Sequence, residues 1–521
     1  MIKIALTGAT GNMGRETLIQ LMKLQNVTVK ILALGTPKDK TLLRKWQSLY
    51  KSKLETVIGD VSKFECVKNF ISGCDYVLNL AAVIPPHSDK NPINAKNCNL
   101  LGVQNIVKAI EETFPQPKLI HISSVAVYGN RNYKHPWGRV GDPLLPSVYD
   151  VYASFKLHGE RHVLDSNIKY WSILRQTAML HENMLSDNMR DGLMFHTCFN
   201  SPLEWITARD SGKLISSILQ KDISNQIPLF WKKVYNIGGG AENRCTGFDT
   251  FDDGFRIIGG SAKTFLNPNW HALRNFHGMW FFDGNVLENI FHYQKETVKD
   301  YWQEILRLHP YFKIAKILPC SLIKNIAIKR LIRDKNSPYR WIKDNDIGKI
   351  KAYFGSYDNI ETLSSDWNQF PLLKNGNLPC GSIDYKKLRD INSVQNHELL
   401  SHGYDETKSD SELCLSDMQQ VAKFRGGKCL SPFMVKGDLY TKLLWQCHDG
   451  HKFYASPYTI LKAGHWCIEC TKLNVWDYDK LAKKVPFYAQ VWYDSHTQRE
   501  NTTYYFDTNY NAHYKTFGDN L

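Results

Sequence analysis

The first 180 residues alternate short apolar runs with stretches whose apolar positions recur every three or four residues. The short runs, which predict buried strands, cover residues 3–7, 27–34, 54–58, 76–79, 118–122 and 170–175. The helix-like stretches between them include residues 13–23, 101–113 and 151–166. Because strands that alternate with helices form parallel sheets covered on both faces, we predict an α/β fold with a doubly wound, Rossmann-type parallel sheet.

The rest of the chain changes composition several times, and its 521 residues are about three times the length of a typical domain. One more strand-like run, Val234–Ile237, lies in a mixed region. We predict five regions: an α/β domain at 1–180, a substrate-binding region with a basic helical segment at 181–354, a linker at 355–412, a small Cys- and His-rich domain at 413–475, and an aromatic tail packed on the body at 476–521.

Positive charge is concentrated in residues 311–355, which carry eleven Lys and Arg against three Asp and include an amphipathic stretch, Leu322–Ile332. Such a stretch can lie on a membrane surface, but we predict a helix packed on the body with a solvated basic face. The net charge of +14 permits nucleic-acid or anionic membrane partners. A Lys-rich and Asn-rich composition explains the charge more simply, so we expect no nucleic-acid partner.

Composition excludes several classes of protein. Hydrophobic residues make up 43% and charged residues 22%, which excludes wholesale disorder or a fibre. No apolar run reaches the roughly 18 to 20 residues of a membrane helix, so no membrane span is expected. Residues 1–6 lead into a glycine motif without an export signal, and twelve cysteines are too sparse for a disulfide scaffold. We therefore predict a cytoplasmic protein.

A glycine-rich loop joins the first strand to the first helix and reads Thr7-Gly8-Ala9-Thr10-Gly11-Asn12-Met13-Gly14. Its three glycines permit a tight turn, the close approach of a pyrophosphate, and close helix–strand packing, while the helix N-terminus offers free N–H groups. This strand–turn–helix context predicts a dinucleotide site. The candidate contacts in the loop are Gly8, Thr10, Gly11, Asn12, Met13 and Gly14.

The end of the second strand selects between the two nicotinamide dinucleotides. An NAD site usually places an acidic residue there to bind the ribose 2′-OH. Here no acidic residue ends the strand, and cations follow within a few residues. We therefore predict NADP(H) over NAD(H), with Lys38 as a contact. Asp39 is the one nearby acidic residue in this stretch that would favour NAD(H) instead. The loops after the third and fourth strands supply further candidate contacts: Asp60 and Val61 at the adenine, and Leu80, Ala81 and Ala82 beside the cofactor.

Catalytic chemistry is suggested by Tyr152 and Lys156, which stand one helical turn apart, and by Ser124 at the end of the fifth strand. A neighbouring cation favours phenolate, so we predict that Lys156 lowers the pKa of Tyr152 toward the range of acid–base catalysis. The Ser124 hydroxyl can hydrogen-bond a substrate oxygen. The spacing of 28 residues between Ser124 and Tyr152, after the glycine loop, makes a chance match improbable.

These motifs resemble an extended short-chain dehydrogenase/reductase of the NAD-dependent epimerase/dehydratase family, over roughly residues 1–300. The resemblance also rests on Asn79–Ala82, on the Asn99-x-x-Gly102-x-x-Asn105 pattern and on Asn236–Gly239. It implies that Tyr152 is the general acid/base, that Lys156 tunes it and holds the nicotinamide ribose, and that Ser124 anchors the substrate oxygen. It also implies that Asn99 supports a proton relay.

Departures from the family pattern narrow the chemistry. Dehydratases of the family typically carry Thr-Asp-Glu where this chain has Ser124-Val125-Ala126, so water elimination is not expected. The segment Leu174–Ala178 lacks the Arg-Pro motif usual in nucleotide-sugar enzymes, which puts a sugar nucleotide in doubt. The aromatic block at residues 267–283 is equally compatible with an apolar substrate pocket and with plain core packing.

Four cysteines lie close together near the C-terminus: Cys429, Cys447, Cys467 and Cys470. A C-x2-C pair joined to further Cys or His at these loop lengths suits tetrahedral zinc, and the pattern resembles a treble-clef or ribbon-like zinc finger over 429–470. We predict one structural zinc ion held by the four cysteines, with His451 as the rival of Cys429. We also expect chelation to unfold 413–475 and to leave NADP(H) binding largely intact.

The motifs together predict an NADP(H)-dependent oxidoreductase that transfers a hydride to or from a carbonyl, hydroxyl or activated alkene of a small, partly apolar substrate. One alternative is a nucleotide-sugar epimerase with tightly bound NAD, in which the same hydride is taken and returned. A second is an NADP(H)-sensing regulatory protein whose basic zinc part contacts nucleic acid. The oligomeric state is left open, a homodimer included.

Overall fold

The computed structural model describes residues 1–185, 191–378, 381–507 and 512–516 of the chain. Its centre is a seven-stranded sheet whose strands are Ile2–Thr7 (β1), Val27–Ala33 (β2), Leu54–Ile58 (β3), Tyr76–Asn79 (β4), Lys118–Ser124 (β5), Trp171–Gln176 (β6) and Lys233–Ile237 (β7). All neighbouring strands are parallel, in the order β3-β2-β1-β4-β5-β6-β7. The predicted doubly wound sheet is therefore confirmed.

Helices cover both faces of this sheet: Asn12–Leu21 (α1), Pro37–Tyr50 (α2), Phe64–Ile71 (α3), Gly102–Glu111 (α4), Val151–Leu164 (α5) and Ala208–Ile223 (α6). Successive residues of β1 show the two faces, because Ala5 packs in one buried cluster and Ile4 and Leu6 in another. The cluster around Ala5 contains side chains of α3, α4 and α5, and the second contains side chains of α1, α2 and α6.

The strand order reverses between β1 and β4, which lie side by side. In open parallel sheets, ligands bind at the carboxyl edge of the strands where such a reversal occurs, because the loops that follow the two strands diverge there. The glycine loop follows β1 and the residues 80–86 follow β4. This crevice is the place where the fold positions a cofactor site.

Smaller elements complete the described parts of the chain. Short strands pair in five further groups: Ala178–Leu180 with Pro202–Thr207 and Arg244–Thr246; Trp137–Gly138 with Trp280–Phe281; Asn377–Leu378 with Gly381–Ser382; Lys428–Cys429 with Leu443–Gln446 and Lys452–Ala455; and Val475–Trp476 with Thr502–Phe506 and Ala512–Thr516. Additional helices of five or more residues are Pro92–Lys96, Gly247–Arg256, Asn285–Phe291, Val298–Leu308, Pro338–Lys343, Ile347–Phe354, Tyr357–Glu361, Tyr385–Arg389, Leu415–Phe424, Tyr478–Lys484 and Pro486–Trp492.

The Cys- and His-rich region packs directly on α5, β6 and β7. Arg161 Nη1 of α5 donates to the carbonyl oxygen of Trp466 at 2.8 Å, and the Val234 N–H of β7 donates to the Tyr458 hydroxyl at 2.8 Å. Phe155 of α5 and Trp466 belong to one continuous buried cluster. The predicted linker is also attached to the body, since Trp137 Nε1 donates to the Leu388 carbonyl at 2.9 Å.

The basic region contains both a packed and an exposed part. Ile328, Leu331 and Ile332 are buried in an aromatic cluster, as expected for a helix packed on the body. The residues before them, 311–326, expose large apolar side chains. Among the described residues, none of the helices combines the length and the apolar character that crossing a bilayer requires.

Candidate functional site

The glycine loop is shaped by contacts that only glycine permits. Gly8 has a φ of +72°, and a side chain on it would meet the backbone nitrogen of Ala81 at 2.6 Å. A side chain on Gly14 would collide with the carbonyl oxygen of Gly8, whereas the Gly11 N–H donates to that same oxygen at 3.0 Å. Because α1 begins after Gly11, its first N–H groups receive no side-chain cap. This cradle fits a pyrophosphate.

The loop after β3 is fixed by residues of α4. Asn105 Nδ2 donates to the Val61 carbonyl at 2.9 Å, and Gly102 leaves room for the Val61 side chain, which a Cβ there would meet at 2.8 Å. Asp60 Oδ1 accepts from the Ser62 N–H at 2.8 Å. The Gly102 and Asn105 positions of the sequence motif therefore hold the loop on which an adenine contact is predicted.

Asn99 fixes the loop after β4. It lies in a π-helical turn, Asn97–Leu101, and both ends of its buried amide bond Val83. Its Oδ1 accepts from the Val83 N–H at 3.0 Å, and its Nδ2 donates to the Val83 carbonyl at 2.8 Å. These contacts support a positioning role instead of the proton relay that the family resemblance implies.

A polar chain that the sequence did not suggest joins the carboxyl ends of three strands. Thr7 Oγ1 of β1 donates to Asn79 Oδ1 of β4 at 2.8 Å and accepts from the Ala81 N–H at 3.2 Å. Asn79 Nδ2 lies 3.0 Å from His121 Nδ1 of β5. Burial lowers the pKa of His121 to about 3, so the neutral ring accepts from Asn79. This chain fixes Ala81 beside the glycine loop.

Asp39, the acidic residue that follows β2 in the chain, is already engaged. Thr36 caps α2 by accepting from the Asp39 N–H at 3.1 Å, and Asp39 Oδ2 accepts from the Thr36 N–H at 3.2 Å. This capping box buries Asp39 and turns its carboxylate toward the backbone. Lys38, one residue earlier in the first turn of α2, is exposed.

The three predicted catalytic residues are brought together where β5 ends and α5 begins. Ser124 ends β5 and Tyr152 lies in the first turn of α5, close enough for the Ser124 side chain to lower the pKa of Tyr152. The Ser124 Oγ accepts from the Ala126 N–H at 3.1 Å. Asp150 caps α5 by accepting from the Ala153 N–H at 2.8 Å. Both Tyr152 and Ser124 are buried, so their hydroxyls are held in one geometry.

The electrostatics of this group differ from the prediction. Burial raises the pKa of Tyr152 to about 12, and the hydrogen bond from Ser124 offsets this only in part. Burial also lowers the pKa of Lys156 to about 8, and its ammonium donates to the Ile122 carbonyl at 2.8 Å. The predicted lowering of the Tyr152 pKa by Lys156 is wrong for this structure, because burial raises that pKa and Lys156 is not among the groups that lower it.

A cavity of about 30 Å³ lies beside the N-terminus of α5. It is lined by Pro85, Asp89, Ser147, Val148, Tyr149, Asp150, Leu193, His196, Asn275, His277 and Tyr353. Ser147 Oγ is buried without a hydrogen-bond partner among the described residues, and Asp150 Oδ2 lies 3.1 Å from His277 Nδ1. Ser124, Tyr152 and Lys156 are not among its lining residues, and its volume is about that of one water molecule.

The aromatic block of residues 267–283 places two polar side chains at the cavity and its large aromatic side chains in the core. Asn275 and His277 line the cavity, whereas Trp280 and Phe281 are fully buried in the core. Trp280 Nε1 donates to the carbonyl oxygens of Leu203 and Cys245 at 3.0 and 2.9 Å, which explains how its polar edge is satisfied inside the protein.

Four ligand-type side chains meet near the C-terminus: Cys447, His451, Cys467 and Cys470. Their potential ligand atoms all lie within 4.8 Å of one another. His451 Nδ1 is 3.5 Å from Cys447 Sγ and 3.6 Å from Cys470 Sγ. With metal–ligand distances of about 2.0–2.3 Å, tetrahedral zinc places its ligands about 3.5–3.8 Å apart, so this donor set fits zinc.

Cys429 is not part of this group, which corrects the predicted ligand set in favour of the rival His451. Cys429 pairs with Trp445 across the strands Lys428–Cys429 and Leu443–Gln446. Cys447 is two residues beyond Trp445, so Cys429 is displaced by about 6–7 Å along the strand from the position opposite Cys447. His451 reaches the group because the chain turns back after Cys447, whose N–H donates to the His451 carbonyl at 3.1 Å.

A buried ionic group that the sequence did not suggest connects α5, the helix of the predicted residues Tyr152 and Lys156, to the Cys- and His-rich region. Arg175 of β6 makes a bidentate pair with Glu160 of α5, the closest contact being 2.8 Å. Arg175 Nη2 also donates to the Ala463 carbonyl at 2.8 Å, and Glu160 Oε2 lies 3.2 Å from His465 Nε2. Because these contacts join α5 to residues 413–475, they do not support the expectation that chelation would unfold 413–475 and leave cofactor binding intact.

Comparison with known proteins points to the same N-terminal part of the chain. A family model described as the NAD dependent epimerase/dehydratase family matches residues 4–191. The UDP-glucose 4-epimerase of Rickettsia prowazekii is 28% identical over 127 residues, which is 24% of this chain and 37% of the relative. The UDP-glucuronate 4-epimerase 1 of Arabidopsis thaliana is 28% identical over 163 residues, or 30% of this chain and 37% of the relative. The chain thus spans little more than a third of the length of these curated relatives.

Solved structures with a similar arrangement also include enzymes of nucleotide sugars. A UDP-glucuronic acid 4-epimerase from Bacillus cereus, in complex with UDP-glucuronic acid and NAD, is 20% identical, has a TM-score of 0.46 and covers 59% of this chain and 100% of its own. A dTDP-glucose 4,6-dehydratase from Bacillus anthracis, in complex with NAD, is 18% identical, has a TM-score of 0.47 and covers 61% of this chain and 100% of its own.

Proposed function

We propose, because residues 4–191 match a model of the NAD dependent epimerase/dehydratase family, that the chain is an NADP(H)-dependent oxidoreductase acting on a carbonyl or hydroxyl group of a small substrate. The observation that carries the proposal is the placement of the buried Ser124 and Tyr152 side chains next to each other where β5 ends and α5 begins. It aligns a proton donor and an oxygen anchor at the same sheet edge as the glycine loop.

The residues divide the proposed reaction between them. When bound, the nicotinamide supplies or accepts the hydride. Ser124 donates its hydroxyl hydrogen to the substrate oxygen and holds that oxygen in place. Tyr152, whose pKa of about 12 keeps it protonated at neutral pH, transfers its phenolic proton to the same oxygen. Because Tyr152 is protonated, it can supply a proton to a carbonyl oxygen, which favours carbonyl reduction as the direction of the reaction.

The preference for NADP(H) is part of the proposal. Its support is the state of the two charged residues after β2. Asp39 is buried and committed to the capping box with Thr36, so it is not free to bind a ribose 2′-OH. Lys38 is exposed in the first turn of α2, where its ammonium can reach a 2′-phosphate.

Epimerisation of a nucleotide sugar with tightly bound NAD is the second candidate function. The names of several curated relatives favour it, because they are UDP-glucose 4-epimerases of Rickettsia species. The segment Leu174–Ala178 argues against it, since it lacks the Arg-Pro motif usual in nucleotide-sugar enzymes. The two functions differ in one measurable respect: an epimerase consumes no cofactor over a complete turnover.

The test is cofactor consumption by the purified full chain on a panel of small aldehydes, ketones and sugars. We expect net oxidation of NADPH with at least one carbonyl, and slower oxidation of NADH with the same compound. Protein that carries tightly bound NAD⁺ and that interconverts a UDP-sugar without net NADPH oxidation would overturn the oxidoreductase proposal and establish the epimerase.

The variant Lys38→Ala tests the cofactor preference separately. Loss of a charge-assisted hydrogen bond to a 2′-phosphate is expected to weaken NADPH binding about tenfold and to leave NADH binding unchanged. Lys23→Ala removes an exposed Lys just after α1 and serves as the control. An equal effect of Lys38→Ala on both cofactors would contradict the assignment of Lys38.

One structural zinc ion, held by Cys447, His451, Cys467 and Cys470, is the other part of the proposal. Three of the four side chains are buried, and all four are engaged with one another, so the set leaves no open position for substrate. The ion would close the loop between Cys447 and Cys470, in a region that has few regular hydrogen-bonded strands of its own.

Zinc analysis of variants tests this ligand set. We expect one zinc per chain in the wild-type protein and in Cys429→Ser, and substantial loss of zinc in His451→Ala and Cys467→Ser. Cys414→Ser changes a cysteine outside the group and is the matched control. Loss of zinc in Cys429→Ser together with its retention in His451→Ala would restore the four-cysteine site.

A further inference from the structure

Residues 311–326 present an unusual set of apolar side chains to solvent. Ile317 is 83% exposed, Ile326 65% and Ile314 64%, and Tyr311, Leu318 and Leu322 are also exposed. Scattered apolar residues are normal on protein surfaces, but six large exposed ones within sixteen residues are a concentration that requires an explanation. We call these six residues the apolar patch.

The segment is held to the body on its other side, so the patch is a fixed surface. Cys320 and Ile323 pack against a cluster that contains Phe265 and Trp270, and Ile328 is fully buried in it. Lys324 Nζ donates to Asn267 Oδ1 at 2.9 Å and stands over the Trp270 ring. The side chains that face outward therefore do so while the backbone is anchored to the protein.

Cations are interspersed with the apolar patch and follow it along the chain. Residues 311–335 contain seven Lys and Arg and a single acid, Asp334. In the part of the chain that the structure describes, the side chains of Lys313, Lys316, Arg330 and Arg333 form no ion pair with an acidic side chain. Their charges are therefore not neutralised by the protein itself.

We propose that this surface binds an anionic phospholipid bilayer, with the apolar patch entering the boundary between headgroups and acyl chains and these cations contacting lipid phosphates. Apolar side chains flanked by Lys and Arg are the combination that holds a protein in the plane of a membrane interface. A neutral protein partner would leave the four cations unpaired. An anionic bilayer offers acyl chains to the apolar side chains and phosphates to the cations. The binding is peripheral and is independent of the proposed catalytic function.

The experiment is co-sedimentation of the full chain with vesicles of phosphatidylcholine, with and without phosphatidylserine. We expect binding to the anionic vesicles, weak binding to the neutral ones, and weakening as salt is raised. The double variant Ile317→Ser/Ile326→Ser should reduce binding to anionic vesicles at least about tenfold. Lys313→Glu/Lys316→Glu should reduce it by a similar factor.

Leu229→Ser is the control, because Leu229 is an equally exposed apolar residue, at 79%, outside this segment. It should bind as the wild type does, and the thermal unfolding of all variants should coincide because the changed side chains are exposed. Failure of the wild type to bind anionic vesicles would overturn the proposal. A dimer that dissociates in Ile317→Ser/Ile326→Ser, without vesicle binding, would overturn it in favour of a second copy of the chain.

Discussion

Replacing Tyr152 by Phe is expected to lower turnover at least about a hundredfold, the usual contribution of a positioned acid or base, equivalent to about 2.7 kcal/mol in the barrier. The phenyl ring keeps the packing of this side chain against Ala126, and only the phenolic hydroxyl is lost. Because the glycine loop is unchanged, binding of NADPH should remain nearly unchanged while the chemical step slows.

Steady-state and single-turnover kinetics of NADPH oxidation measure this effect. Tyr454→Phe is a suitable control, since it deletes a hydroxyl of the same chemistry from a tyrosine that is 64% exposed on the strand Lys452–Ala455. Unaltered turnover in Tyr152→Phe would show that the proton comes from another group. A loss of NADPH binding in parallel with turnover would instead indicate a structural role.

Much of this part of the site can be predicted from local sequence. Glycines that alone permit the turn at Gly8, and a Tyr and a Lys one helical turn apart, are patterns over a few residues, so their geometry follows from the element that carries them. The pKa of Tyr152 could not be predicted in this way. It depends on the depth of burial and on the direction of the Lys156 side chain, which the tertiary packing determines.

Replacing Glu160 by Ala is expected to destabilise the protein by about 3–5 kcal/mol, because it leaves the Arg175 guanidinium buried without its charged partner. Both side chains are fully buried. The Arg175 charge also bonds Ala463, and Glu160 faces His465, so the loss loosens the contact between α5 and the Cys- and His-rich region. Since α5 carries Tyr152 and Lys156, activity should fall together with stability.

Chemical denaturation measures this change in the free energy of unfolding. The exposed ion pair of Lys30 and Glu55, 3.4 Å apart, provides the control: Glu55→Ala should leave stability unchanged within error. The double variant Glu160→Met/Arg175→Met should recover part of the loss, because it removes both buried charges. Equal stability of Glu160→Ala and the wild type would show that the Glu160–Arg175 pair does not stabilise the contact between α5 and the Cys- and His-rich region.

The same pair gives the protein a defined sensitivity to acid. Burial opposes ionisation of Glu160, but the Arg175 charge and its hydrogen bonds hold the pKa of that carboxyl well below its ordinary value of 4.5. A depressed carboxyl pKa stabilises the folded state above the ordinary value, and this stabilisation is lost as the pH falls below it. Denaturation midpoints measured from pH 7 downward should therefore decline below about pH 4.5, and less steeply in Glu160→Met/Arg175→Met.

The contact between α5 and the Cys- and His-rich region could not be predicted from the sequence, for a physical reason. Glu160 and His465 are 305 residues apart, and each looks like an ordinary polar residue among its neighbours. The close C-x2-C pair and the Cys447-x-x-x-His451 spacing were visible, but the choice between Cys429 and His451 depended on the pairing of Cys429 with Trp445. Such pairings between distant segments leave no local pattern.

The buried cluster that contains Ala5 of β1 also contains Trp466, Trp476 and Tyr504. On a ribosome, the first half of the sheet therefore emerges long before the side chains that complete its core. At about 5–20 residues per second, the 305 residues between Glu160 and His465 take about 15–60 s to synthesise. During that interval the outer surface of α5 stays uncovered on the nascent chain, so correct maturation depends on keeping this early intermediate from aggregating until its C-terminal cover has been made.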